Sequence, residues 1–253
     1  MRTFNRIAST LAVAFAATFS HVAMAAPVNN IVLVHGFFAD GSGWQGVANI
    51  LTRDGFNVSV VQQPETSLAD DVQATNRAVD AVNGNSILVG HSYGGMVITA
   101  AGNHPKVAGL VYVAAFQPEA GESLSDLVKK IPPASNAIKA TPDGHLYFDQ
   151  AFFHADFAAD LPAADAKFMA MSQVMPAVQA ATSPVTQAAW KSKPSWAIVS
   201  ADDRTVNPEL ERFMAKRAGS KTVEIKGSHV AFIAHPEEVA KVIEQAARMS
   251  SKE

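Results

Sequence analysis

Short apolar runs recur along the chain and are separated by segments with helical spacing. The runs are rich in β-branched residues and too short for buried helices, which is typical of strands in a parallel sheet. The pattern predicts six buried strands, at residues 31–35, 58–61, 87–89, 107–113, 196–200 and 221–225. Strands that alternate with helices predict an α/β fold with a doubly wound, mostly parallel sheet and right-handed crossovers.

Two helices between or after these strands have recognisable starts. Ser67 is a candidate N-cap for one of them, and its apolar positions are Leu68, Val72, Thr75, Val79 and Val82. Pro236, followed by Glu237 and Glu238, suits the first turn of the last helix. The apolar face predicted for that helix consists of Val239, Val242, Ile243 and Ala246.

One long segment interrupts the alternation of strands and helices. Residues 117–193 contain many alanines and seven prolines and no convincing strand, so they are predicted to form a mostly helical cap inserted over the sheet. The cap is rich in Phe and Met between residues 147 and 175. These side chains form either the core of the cap or the roof of a substrate cleft. On the second interpretation, Phe152 and Phe153 contact substrate together with Phe38.

The N-terminus has the layout of a secretory signal. Arg2 and Arg6 precede an apolar stretch over residues 7–19, and small residues follow at 23–25. We expect cleavage after Ala25, which leaves a hydrolase domain at 26–253 in a secreted or periplasmic protein; a buried N-terminal helix is the alternative. Cleavage removes two of the 20 basic residues and none of the 23 acidic ones, so the formal charge falls from −3 to −5.

Composition narrows the classes of function. The chain is 48% hydrophobic and 17% charged, which suits one globular domain. Its net negative charge gives no indication of nucleic-acid binding, which usually requires a basic stripe. No apolar run after Pro27 is long enough to span a membrane. The absence of cysteine excludes a thiolate nucleophile or thiolate metal ligands, and no histidine pair has ligand spacing. We therefore expect no metal and no cofactor.

A serine with a distinctive context follows the third predicted strand. Residues 90–95 read Gly-His-Ser-Tyr-Gly-Gly and lead into an apolar helix. The G-x-S-x-G pattern between a strand and a helix is typical of a nucleophile elbow, in which a strained serine projects its hydroxyl above the sheet. Glycines two before and two after Ser92 prevent collisions with neighbouring backbone. The pattern predicts Ser92 as a nucleophile.

Two backbone amides are candidates for an oxyanion hole. One belongs to Tyr93, directly after the serine, and the other to Phe37, in the loop after the first strand. The same loop contains His35, which we interpret as a structural histidine. It also contains a G-x-G-x-x-G pattern at 41–46, with Glu65 at the distance of a ribose-binding acid. Because Gly41 lies six residues beyond the strand, a dinucleotide site remains only a remote alternative.

Candidate acid and base residues follow the last two predicted strands. Asp202 and Asp203 come after the fifth strand and His229 after the sixth. The carboxyl ends of parallel strands share one edge of the sheet, so these loops should lie beside Ser92. An imidazole can take a hydroxyl proton near neutral pH, and a carboxylate behind it selects the tautomer. Only one of the two neighbouring aspartates can do this.

With these motifs placed, residues 31 to about 248 resemble the α/β-hydrolase superfamily, and most closely small serine esterases of the methylesterase and hydroxynitrile lyase-like group. The resemblance rests on residues 34–37, 41, 44, 90–95, 203–206 and 227–230. In similar sequences the aspartate followed by Arg or another residue and then an apolar residue is catalytic, which favours Asp203. Val230 replaces the lysine that hydroxynitrile lyases place after the histidine, and Ser92 excludes the aspartate nucleophile of dehalogenases and epoxide hydrolases.

The resemblance implies a serine esterase that acts on a small-molecule carboxylic ester with an apolar portion. Ser92, Asp203 and His229 would form the triad, and Phe37 and Tyr93 the oxyanion hole. A lactonase, an amidase or a cofactor-free perhydrolase would use the same residues. An NAD-dependent oxidoreductase and a non-catalytic binding protein are the alternatives from other classes. The oligomeric state has no signature in the sequence.

Overall fold

The computed structural model describes residues 28–251, and the predicted signal segment lies outside this range. Eight strands occur in it: β1 (Asn30–Val34), β2 (Asn57–Val61), β3 (Ser86–His91), β4 (Val107–Val113), β5 (Ile138–Ala140), β6 (Leu146–Phe148), β7 (Ser195–Ser200) and β8 (Lys221–Ile225). Six of them form a parallel sheet in the order β2-β1-β3-β4-β7-β8. The predicted doubly wound sheet is confirmed.

Ten α-helices lie in the described range: α1 (Gln45–Arg53), α2 (Leu68–Asp80), α3 (Gly94–Ala101), α4 (Leu124–Lys130), α5 (Gln150–Asp156), α6 (Ala163–Ser172), α7 (Val178–Thr182), α8 (Pro208–Ala218), α9 (Ala231–Ala234) and α10 (Pro236–Ser250). The predicted helix starts are confirmed. The Ser67 hydroxyl accepts from the Asp70 amide at 3.1 Å, and Pro236 opens α10. The predicted apolar face of α10 is buried.

The strands differ in burial according to their place in the sheet. The central strands β1, β3 and β7 are buried throughout, whereas in the edge strands β2 and β8 only the last residue is buried. The prediction that all six are buried strands was therefore wrong for these two. An edge strand has a neighbour on one side only, and an apolar run does not encode its position in a sheet.

The segment between β4 and β7 contains a feature that the sequence pattern missed. β5 and β6 pair as an antiparallel hairpin, so the expectation of a cap without strands was wrong. Each strand has three residues, too few to display an alternating pattern. Gly144, at a φ of +87°, lies in the tight turn between them. The rest of the segment comprises α4 to α7 and a 3-10 helix at Ala189–Lys191.

This segment packs over the carboxyl edge of the parallel sheet. The Asp160 carboxylate accepts from the Ser228 amide at 2.7 Å, in the loop after β8. The Asp156 carboxylate binds Arg204 at 2.6 Å, in the loop after β7. These bonds join the segment to the loops that carry the predicted acid and base.

The strand order reverses between β1 and β3. The chain leaves β1 toward β2 on one side, while β3 continues toward β4 on the other, and Val34 of β1 pairs with Gly90 of β3. Ligands of open parallel sheets bind in the crevice at such a switch point, beyond the carboxyl ends of the strands. The loops with Phe37 and Ser92 both begin there.

Candidate active site

Ser92 lies in a tight turn between β3 and α3. Its φ is +53°, a left-handed value that is strained for a residue with a Cβ atom. A Cβ atom at Gly90 would lie 2.5 Å from the carbonyl oxygen of Gly94, and one at Gly95 would collide with the carbonyl oxygen of Phe116. Glycines at these positions therefore let the turn close and hold the serine in its strained conformation.

The loop after β8 brings His229 beside this turn. Its ring centroid lies 4.6 Å from that of His91, whose Nε2 donates to the His229 carbonyl oxygen at 2.9 Å. Burial lowers the pKa of His91 well below its ordinary range, so this ring is neutral. The neutral His91 therefore holds the His229 backbone and adds no charge to the site.

His229 pairs with Asp203 and not with Asp202. The Nδ1 of His229 lies 2.6 Å from Asp203 Oδ2, and both side chains are fully buried. The other carboxylate oxygen of Asp203 accepts from the amides of Thr205 and Val206 at 2.7 and 2.9 Å. Asp202 is exposed. The structure thus brings together the histidine and the aspartate that the resemblance favoured.

The second nitrogen of the His229 ring is free for chemistry. Nε2 is buried and has no hydrogen-bond partner within residues 28–251. Because Nδ1 is held by Asp203, the proton of a neutral ring belongs on Nδ1, and Nε2 carries the lone pair. An unpaired basic nitrogen is the group that a serine nucleophile requires.

The loop after β1 lies against the serine. A Cβ atom at Gly36 would lie only 2.5 Å from Ser92 Cβ, so glycine permits this approach. Within the described range, the backbone amides of Phe37 and Tyr93 donate to no protein acceptor. Two unpaired amides beside a nucleophile can bind the oxygen of a tetrahedral intermediate.

Glu211 of α8 is an acid near the site that sequence patterns did not indicate. It is buried, and its Oε2 accepts from the Ser200 amide at 3.3 Å, at the end of β7. Burial raises its pKa well above the ordinary range, and the neighbouring charge of Asp203 raises it further. Both causes favour the neutral form of Glu211. Glu211 is one of the buried residues of α8. No catalytic motif includes it, so nothing in the sequence singles it out.

A cavity of about 550 Å³ opens onto Ser92. Phe37 and Phe38 line one side of it. The segment between β4 and β7 supplies an apolar roof from α4 and the hairpin, with Leu124, Val128, Ile138 and Leu146 among its residues. None of these was predicted, because their proximity to Ser92 depends on how that segment folds back over the sheet.

Two residues predicted to bind substrate do not reach this cavity. Phe153 is fully buried in an aromatic cluster with Phe148 and Phe157, at ring-centroid distances of 4.5 to 5.5 Å. Phe152, the preceding residue of α5, is 51% exposed. Neither residue lines the cavity beside Ser92, because Phe153 packs into the aromatic cluster and Phe152 is exposed to solvent. Phe38 is the one of the three that does.

The G-x-G-x-x-G segment has a structural explanation. Residues Gly41–Trp44 form a 3-10 helix that leads into α1. The Glu65 carboxylate, which a ribose hydroxyl would need to reach, is buried 3.4 Å from His35 Nδ1. His35 also accepts from the Gln63 amide at 3.2 Å, so both residues belong to the packing between the loops after β1 and β2.

Residues 28–251 lack the features of two other classes of site. No group of three or more His, Asp or Glu side chains in this range is arranged to hold a metal ion. No helix in the same range is long and apolar enough to cross a membrane.

The sequence and the fold of this chain are similar to those of known proteins. The sequence profile of the Alpha/beta hydrolase family matches residues 31–242. A carbendazim hydrolyzing esterase of Nocardioides sp. (strain SG-4G) is 37% identical over 43% of this chain, and the match spans about half (51%) of that esterase.

Solved structures share the fold at low sequence identity. A pyrethroid hydrolase from Sphingobium faniae JZ-2 superposes with a TM-score of 0.75 at 21% identity, covering 87% of this chain and 97% of that one. A methylesterase from Arabidopsis, MES16, gives a TM-score of 0.74 at 17% identity, covering 88% and 100%. The predicted resemblance to the α/β-hydrolase superfamily is confirmed, and the chain belongs to the Alpha/beta hydrolase family.

Proposed function

We propose that this protein is a carboxylic ester hydrolase in which Ser92, His229 and Asp203 act as a catalytic triad. The observation that carries the proposal is the buried pair of His229 and Asp203, 2.6 Å apart, beside a strained serine. The unpaired Nε2 of His229 provides the base. A relative described as an esterase supports hydrolysis of esters as the reaction.

The proposed reaction has two halves. Ser92 Oγ attacks the ester carbonyl carbon while its proton passes to His229 Nε2, and the carbonyl oxygen, now negative, accepts from the amides of Phe37 and Tyr93. The intermediate collapses, and His229 gives its proton to the departing alkoxide. Water then attacks the acyl-enzyme by the same route and restores Ser92. Asp203 holds the imidazole in its tautomer and stabilises the imidazolium.

The cavity above Ser92 suggests an ester with an apolar portion. Its roof is mostly aliphatic, and each methylene that it buries should contribute about 0.8 kcal/mol, or roughly fourfold in kcat/KM, until the space is filled. We expect kcat/KM for p-nitrophenyl esters to rise from acetyl toward medium acyl chains and then to fall. Lactone and anilide substrates in the same assay test the alternative reactions of this triad.

The structure offers a matched pair of variants for this assay. Val128→Phe fills the cavity and should shift the optimum to shorter acyl chains, whereas Phe152→Ala changes an exposed residue and should leave the profile unchanged. A flat acyl series in the wild type would contradict a substrate site in this cavity. A shift caused by Phe152→Ala, and none by Val128→Phe, would restore the assignment made from sequence.

We also propose that the protein is exported and that residues 1–25 are removed. All strands and helices of the described fold lie after this segment, so cleavage would leave them intact. Expression of the full gene in bacteria should yield a periplasmic or secreted protein. Its intact mass should match a chain that begins at Ala26. Ala25→Asp, which places a charge in the peptidase site, should block the cleavage. Active protein that retains Met1 in the cytoplasm would contradict this proposal.

A further inference from the structure

A fully buried aspartate lies next to the serine turn and has no part in the reaction described above. Asp71 belongs to the first turn of α2. Its Oδ2 accepts from the Tyr93 hydroxyl at 2.7 Å, and its Oδ1 accepts from the Glu65 amide at 2.8 Å. Each oxygen of this carboxylate therefore accepts one hydrogen bond, and a buried hydrogen-bonded network of this kind holds its members rigidly.

Tyr93 connects this aspartate to the oxyanion loop. Its side chain is fully buried, and its ring stacks on that of Phe37 with centroids 3.8 Å apart and an angle of 18° between the planes. The backbone amides of these same two residues are the unpaired donors beside Ser92. A chain of contacts thus runs from α2 through two stacked rings to both donors. Donors of this kind must lie within a few tenths of an ångström of the position that the oxyanion takes.

We propose that Asp71 is a positioning residue for the oxyanion hole. By holding the Tyr93 hydroxyl it fixes Tyr93 and, through the stacked ring of Phe37, both amide donors. This inference rests on the proposed function, because the donors matter when Ser92 Oγ bonds to a carbonyl carbon. In that step the proton moves to His229 Nε2, and the carbonyl π electrons move to the oxygen that the two amides bind.

A purely structural role for the bond between Tyr93 and Asp71 is the competing explanation. Tyr112 of β4 supplies a control, since its hydroxyl is equally buried and lies 2.8 Å from Thr99 Oγ1. It does not line the cavity beside Ser92. Tyr112→Phe and Tyr93→Phe both remove one hydroxyl and its buried hydrogen bond and keep the ring, so a structural role predicts similar consequences for the two variants.

The experiment compares Tyr93→Phe, Asp71→Asn and Tyr112→Phe by kcat, KM and melting temperature on one p-nitrophenyl ester. An asparagine has one acceptor atom in place of two, so it can keep only one of the bonds that Asp71 accepts. We expect Tyr93→Phe and Asp71→Asn to lower kcat about 10- to 100-fold, less than the roughly 10²- to 10³-fold loss when a donor is removed outright. KM should stay within about twofold, because the contact acts in the transition state. Tyr112→Phe should leave both constants unchanged.

A trifluoromethyl ketone gives a second readout. Ser92 adds to its carbonyl and generates an oxyanion, so its inhibition constant should rise in Tyr93→Phe and Asp71→Asn by about the factor that kcat falls. The kcat of the double variant Asp71→Asn/Tyr93→Phe should fall no further than that of the more impaired single variant, since both substitutions act through one contact. If Asp71→Asn does not fold, Tyr93→Phe and the inhibitor still decide the question.

Two negative results have different meanings. If the wild type hydrolyses esters in a Ser92-dependent manner while Tyr93→Phe behaves like Tyr112→Phe in kcat and inhibitor binding, the positioning role is wrong and the proposed function stands. If the wild type shows no Ser92-dependent hydrolysis of any ester, the proposed function is wrong and the positioning role falls with it.

Discussion

Replacing Ser92 by alanine is expected to lower kcat about a million-fold, the loss typical of a triad nucleophile. The residual rate would come from substrate binding and the oxyanion amides alone. The fold should survive, because Ser92 carries positive-φ strain that alanine neither adds to nor fully removes. The measurement is hydrolysis of a p-nitrophenyl ester by the variant beside the wild type, with circular dichroism and a thermal melt as controls for folding.

Covalent labelling identifies the nucleophile independently of the rate. A fluorophosphonate probe should add to Ser92 of the wild type and should not add to Ser92→Ala. Ser123 is a useful comparison, since it is buried but bonded to Asp126 in a helix cap and should remain unlabelled. Labelling of another serine, or no labelling of an active wild type, would contradict the assignment of Ser92 as the nucleophile.

Asp203→Asn is expected to lower kcat by about 10⁴-fold through loss of the correct histidine tautomer. An asparagine at this position can present its NH₂ group to His229, and that donor would favour the ring with its proton on Nε2. Such a ring cannot take the proton of Ser92. The remaining oxygen would keep the amide bonds from Thr205 and Val206, so the loop should retain its shape.

Asp202→Asn is the matched control for this prediction. Asp202 is exposed and adjacent in sequence, and the hydrogen bond of His229 Nδ1 is to Asp203 instead. We expect the kcat of Asp202→Asn to remain within about twofold of the wild type, because the carboxylate that holds His229 is unchanged. A large loss of kcat in Asp202→Asn, with little loss in Asp203→Asn, would mean that Asp202 is the catalytic acid and that the assignment of Asp203 is wrong.

The positions of the strands along the chain and the tight turn at Ser92 could be predicted because both depend on local sequence. A run such as 107–113 is apolar at every position except its glycine and tyrosine, which suits a strand buried on both faces, and β4 has the same bounds. The elbow requires glycines at fixed offsets for steric reasons, and those offsets are visible without any knowledge of the fold. Helix caps such as Ser67 are local for the same reason.

Other features depend on which distant segments meet. Position after the fifth strand does not distinguish Asp202 from Asp203, and only the resemblance to similar sequences favours Asp203. The physical reason lies in the turn that buries the Asp203 carboxylate against His229 and leaves Asp202 exposed. The cavity roof at Val128 and Leu146 depends on how a long segment folds back over the sheet, and its three-residue strands are too short to produce a period.

The sequence by itself therefore determined the elements that local sterics and periodicity specify: six strands, their helices, the strained serine and the loops that follow the strands. Only the tertiary structure decided the groups that act through space, including the bond from Tyr93 to Asp71 and the buried Glu211 beside Asp203. The physical reason is that backbone conformation responds to nearest neighbours along the chain. Hydrogen-bond partnership and desolvation respond to neighbours in space, which lie 22 residues apart for Tyr93 and Asp71 and 26 for His229 and Asp203.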